Sequence, residues 1–156
     1  MLHAYDPDPP AKGHGAPVPE PLGQMDERLA EAVCAAVFRY QLQQRLTEVP
    51  HPPRYYVAQQ GRDPTAAVLG RLRALGATVQ PLSQCRVTAR EGVVDRTTGA
   101  RGIIVHVARL TWLHAAAVDV VGGYYITHRH AAGLRYRVEH DGRRWAVTTT
   151  ALLWRV

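Results

Sequence analysis

The chain has 156 residues, 46% of them hydrophobic, which suits one domain with a core of its own. Its net charge of +6 would ordinarily suggest an anionic partner, but 18 of the 19 basic residues are arginines, Lys12 is the one lysine, and no run of four occurs. A GC-rich coding bias explains that balance as readily as a binding patch, and no stretch reaches the roughly 20 apolar residues that cross a bilayer.

Residues 1–24 carry Pro7, Pro9, Pro10, Pro17, Pro19 and Pro21 with Gly13, Gly15 and Gly23, so a disordered arm is expected there. It lacks the apolar core of a signal peptide, which points to the cytoplasm. The single domain is expected over 25–156. From Met25 to Gln44 the pattern is helical, with Asp26 and Glu27 in the first turn and Leu29, Val33, Ala36, Val37 and Tyr40 on a stripe widened by Cys34, Phe38 and Leu42.

Pro50, Pro52 and Pro53 close that region, and Arg54 to Gln60 reads as an edge strand bounded by Gly61. Asp63 and Pro64 supply an N-cap and a first helical position for a second helix through Leu75, ending at Gly76. Thr78 to Thr88 reads as extended around Pro81, and Glu91 to Arg101 as a polar hairpin tip. Cys34 and Cys85 match no CxxC or metal-finger spacing; a disulfide between them requires an exported chain.

Four strands follow. Asp141-Gly142 offers the two positive φ angles of a two-residue hairpin turn, which would set Val138 opposite Trp145, Tyr136 opposite Val147 and Leu134 opposite Thr149. Ala131-Ala132-Gly133 would link the preceding strands with His128 opposite Tyr136. The turn at 114–117 would place Arg109 opposite Gly122 and Val107 opposite Tyr124. All three hairpins then put the same residues on one apolar face, and a slip of one residue would invert any strand. The expected fold is α+β, a curved antiparallel sheet with the N-terminal helices packed on its concave face.

That face also carries Arg109, His128, His130 and Thr149, polar groups that need partners once enclosed. With Tyr124 and Tyr136, the residues Arg109, His128 and Thr149 make the candidate small-molecule pocket. His128 and His130 alternate on one face, as two metal ligands would, but no third ligand accompanies them, so no metal is assigned. The sequence holds no Gly-rich phosphate loop, and no cofactor is expected. The other face would expose Leu110, Trp112, Val121, Tyr125, Leu152 and Trp154, an apolar surface that implies a homodimer through the sheet. Arg129, Arg135, Arg137 and Arg144 would form a basic strip on that face beside Tyr125 and Trp154; a solvated arginine face is the preferred account over nucleic acid.

The strands from Ala117 to Tyr125 and Tyr136 to Val138, and the closing Asp141-Gly142-Arg143-Arg144-Trp145-Ala146-Val147, resemble the last strands of nuclear-transport-factor-two-like, or SnoaL-like, domains, with a cystatin-like roll as the alternative. That superfamily hosts enzymes, carriers and dimerisation modules. The resemblance implies either a non-catalytic binding module or a cofactor-free lyase or isomerase of the scytalone-dehydratase and ketosteroid-isomerase type. In the latter, His128 would be the base and Tyr124 or Tyr136 would donate to an oxyanion. No inward carboxylate base is found, so the binding module is preferred.

Overall fold

The structure, a computed structural model, describes residues 27–48 and 54–156. The Pro/Gly-rich arm and the prolines at 50, 52 and 53 lie outside the described residues. The elements in order are α1 (Glu27–Glu48), β1 (Arg54–Gln59), α2 (Ala66–Arg73), β2 (Val79–Pro81), β3 (Cys85–Thr88), β4 (Gly92–Asp95), β5 (Gly102–His114), β6 (Ala117–Thr127), β7 (His130–His140) and β8 (Trp145–Arg155).

The class is α+β. Six strands form one open sheet in the order β2-β1-β5-β6-β7-β8, and β3 and β4 form a separate hairpin. The last four strands are an antiparallel meander, but β1 runs parallel to both β2 and β5. β1 is therefore interior rather than the expected edge, and its Tyr55, Tyr56, Val57 and Ala58 are fully buried. Consecutive parallel strands need a crossover, which α2 supplies between β1 and β2. The cap of α2 is Thr65, whose hydroxyl accepts from the Val68 amide, not Asp63. Asp63 instead accepts from the Ser83 amide and hydroxyl at 2.8 and 2.6 Å, tying the loop before α2 to the 3-10 turn after β2.

Both helices pack on one face of the sheet. Val33, Val37, Phe38 and Leu42 of α1 and Val68 and Leu72 of α2 share a core with Tyr55, Val57, Ile103, Val105, Val107, Val118, Val120, Tyr136 and Val138. Each large apolar side chain so buried contributes roughly 1.5–3 kcal/mol. A smaller core lies on the opposite face, where Cys85 and Val93 of the β3–β4 hairpin cover Tyr56, Ala58 and Ile104, with Tyr125 packed alongside. The stretch from Glu91 to Arg101 thus contains a strand, β4, with Val93 and Val94 buried. Cys34 and Cys85 belong to the two different cores and are both free. Burial pushes their thiols up to about 12 and about 11, which makes them poor nucleophiles.

Unpaired residues in the meander decide which side chains face the helices. Val107 pairs with Gly122 but Arg109 pairs with Val121, leaving Ala108 as an extra residue in β5. One extra residue inverts everything beyond it. Arg109 therefore leaves the helix face and is exposed, while Leu110 and Trp112 move onto it and pack against the main core. In β8, Val147 pairs with Val138 and Thr149 with Arg137, so Thr148 is extra and Thr150, not Thr149, stands beside Tyr136.

The turns also differ from expectation. Asp141 accepts from the amides of Arg143 and Arg144 at 2.8 and 2.9 Å, which makes a four-residue turn closing on His140 and Trp145. The pairing slips by two, an even number, so Trp145 and Val147 keep the face of Tyr136. β6 and β7 join through His128 and Arg129, and Tyr136 lies opposite Val120 rather than His128. Ala131, Ala132 and Gly133 are strand residues. Gly133 is small because the Trp154 indole lies where its side chain would be.

Of the six residues expected on the outer apolar surface, Val121 and Trp154 remain on that face and the other four are placed differently. Leu110, Trp112 and Leu152 stand on the helix face, and Tyr125 packs against the β3–β4 hairpin core. The basic strip is broken as well, because Arg129 and Arg144 sit in turns at opposite ends of β7 and Arg137 pairs with Asp119 at 2.6 Å. Among the described residues no helix is long and apolar enough to cross a membrane.

Candidate functional site

Val33, Val37 and Gln41 recur at intervals of four along α1, so Gln41 points at the sheet from the apolar stripe. Its Nε2 donates to the carbonyls of His106 in β5 and Gly123 in β6, both at 3.1 Å, and lies 3.2 Å from the Tyr136 hydroxyl of β7. Carbonyls only accept, which fixes the amide orientation. The other end, Oε1, is buried without a hydrogen-bond partner among the described residues.

Beside Gln41, α1 and the sheet border a cavity of about 480 Å³, lined by Tyr40, Gln44 and Arg45 from the helix and by Tyr124, His130, Leu134, Tyr136, Thr150 and Arg155 from the strands. The strand register explains the hollow. Tyr124 pairs with Ala132 and Ala132 with Arg155, so a methyl group separates a phenol from a guanidinium on one row. The adjacent row holds Gly122, where a side chain would collide with the His106 carbonyl.

Aromatic contacts hold the walls. Tyr40 meets Tyr136 edge-on at 6.0 Å, His130 meets Tyr124 at 5.7 Å, and the Arg45 guanidinium lies 3.6 Å from the Tyr124 ring centre. Burial pushes the Tyr136 phenol up to about 12, against the lowering effects of the Gln41 hydrogen bond and nearby Arg45. At neutral pH it is a protonated donor.

Of the residues expected at the site, Tyr124 and Tyr136 are brought together here. Arg109, His128 and Thr149 are not. Arg109 and Thr149 were displaced by the extra residues in β5 and β8, and His128 is exposed in the β6–β7 turn. His128 and His130 therefore do not share a strand face. Gln41, Arg45, Thr150 and Arg155 were missed. The signal for Gln41 was present, since an amide interrupts an apolar stripe at Val33 and Val37; Thr150 and Arg155 depended on bulges that leave no such mark.

Two other polar groupings have structural explanations. Asp95 accepts from the Tyr56 hydroxyl at 2.6 Å and from the amides of Thr97 and Thr98, with Arg54 at 3.6 Å. The Tyr56 hydrogen bond, with those of the turn amides, holds this buried carboxylate well below the usual carboxylate range. A second cavity, about 640 Å³, opens among Glu27, Glu31, Gln59, Gln60, Arg62 and Asp63, most of them solvated. Among the described residues no three His, Cys, Asp or Glu side chains converge as a metal site. Comparison with protein-family models, curated proteins and solved structures finds no match for this chain.

Proposed function

We propose that this chain is a non-catalytic binding module that takes a small molecule between the C-terminal half of α1 and strands β5 to β8. The supporting observation is the cavity of about 480 Å³, within the range of small-molecule sites and walled by three phenols. The lyase or isomerase reading has weaker support. His128 is outside the cavity, and among the described residues that line it His130 is the one imidazole and no carboxylate orients that ring; the Tyr136 phenol is the donor that reading asks for but has no such oriented base beside it. The resemblance to nuclear-transport-factor-two-like domains fits a pocket between helix and sheet and adds nothing about the ligand.

Native mass spectrometry of protein purified from its host, beside a Leu134→Trp variant, tests this reading. Leu134 lines the cavity and is half-buried, so the indole has space to grow inward. The expected result is a co-purifying small molecule on the wild type and none on a variant with unchanged circular dichroism. Retention of the same molecule by the folded variant would place it elsewhere and sink the proposal.

A further inference from the structure

Resting on that binding reading, we infer that the occupant is a small organic anion, with its carboxylate or equivalent group held by Arg155 and its planar body against the phenols of Tyr124 and Tyr136. The sign of the lining carries the argument. Arg155 in β8 and Arg45 in α1 line the cavity from the sheet and the helix, His130 stands beside Tyr124, and no aspartate or glutamate lines it among the described residues. The Arg155 guanidinium at the edge of an aromatic-walled, partly enclosed space attracts an anion more strongly than it would in open solvent.

The geometry assigns the parts. Arg155 reaches the site across Ala132, on the row that ends at Tyr124, so a charged group bound there lies one methyl away from an aromatic wall. Arg45 lies over the same wall, 3.6 Å from the Tyr124 ring centre. A guanidinium offers a planar fork that suits the two oxygens of a carboxylate. Beside them, the buried and protonated Tyr136 hydroxyl and the hydroxyl of its exposed cross-strand neighbour Thr150 supply neutral polar contacts suited to an uncharged part of the ligand. The second cavity has the opposite character, with three carboxylates in its lining, so positive lining is a property of this site rather than of the basic chain as a whole.

The test uses matched probes: benzoate against benzamide, and 3-phenylpropionate against 3-phenylpropionamide, titrated into the full chain and followed by amide chemical shifts. The acids are expected to perturb Tyr124, Ala132 and Arg155, with the amides binding about tenfold or more weakly. Arg155→Gln, at an exposed strand end where folding should be indifferent, is expected to erase the preference for the acid within each pair. Equal binding of acid and amide, or an undiminished preference in Arg155→Gln, would overturn the anion assignment while leaving the binding module standing. No perturbation of the cavity residues by any of the four probes would overturn both.

Discussion

The Gln41 amide nitrogen lies 3.2 Å from the Tyr136 phenol oxygen, and the same nitrogen reaches the His106 and Gly123 carbonyls at 3.1 Å. One side chain of α1 therefore ties the helix to β5, β6 and β7 at the edge of the cavity. Gln41→Leu leaves two sheet carbonyls and a phenol without that donor and is expected to cost at least about 2 kcal/mol. Gln41→Glu should cost more near neutral pH, where a carboxylate would face two carbonyls, and less in acid, where a protonated carboxyl can donate. Urea midpoints of both variants at two pH values check this; wild-type stability in Gln41→Leu would rule out the tie.

Gly122 and Gly133 answer differently to the same methyl group. At Gly122 the new carbon would strike the His106 carbonyl, which is backbone, whereas at Gly133 it would strike the Trp154 indole on the edge strand. Gly122→Ala should destabilise by about 2 kcal/mol or more through backbone displacement, and Gly133→Ala by less, because an indole can turn aside. Thermal melts of the two variants compare the costs, and equal losses would contradict the distinction.

Tyr56→Phe removes the 2.6 Å hydrogen bond to Asp95 while keeping the ring in the smaller core. The carboxylate retains the amides of Thr97 and Thr98, so the variant should fold with a melting temperature lower by roughly 2–6 °C. The stability that Asp95 forfeits on acidification, which sets in near the ordinary carboxylate value of about 3.9 in either protein, should be smaller in the variant, because the first cause of the depressed Asp95 pKa is gone. A melting temperature and acid limb identical to wild type would show that this bond contributes nothing.

His106 sets a pH dependence of its own. Unfolded, an imidazole takes up its proton near its ordinary value of about 6.5; folded, burial holds this one neutral until about 4. Its folded pKa is depressed, so stability is intact above about 6.5 and declines as pH falls from there toward about 4, by roughly 3 kcal/mol at most. Denaturant titrations from pH 7.5 to 4.5 should show that loss in the wild type and a flatter profile in His106→Asn.

Parity in the sheet was legible in the sequence, and phase beyond each extra residue was not. Tyr124, Tyr136, Trp145 and Val147 alternate strongly enough that pairings displaced by even numbers still put them on the helix side. Arg109, Leu110, Trp112 and Thr149 lie past Ala108 or Thr148, and a bulge has no compositional mark when the unpaired residue is an alanine or a threonine. The β6–β7 link was misread because Gly133 looked like a turn former, whereas its size answers to Trp154. The β3–β4 cover was hidden by its polar residues, since only Val93 and Val94 of the Glu91–Arg101 stretch are apolar and buried there.

Strand β8 is one of the two margins of the sheet, opposite β2, and from Ala146 to Trp154 it carries no charged residue to discourage another chain from annealing to it. The irregularities at Thr148 and Leu153 divide that margin into short segments with mismatched hydrogen-bonding phase. Deleting Thr148 would straighten the border and hand a fibril a longer uninterrupted template, so the same kink that brings Thr150 to Tyr136 also guards the molecule against stacking edge to edge.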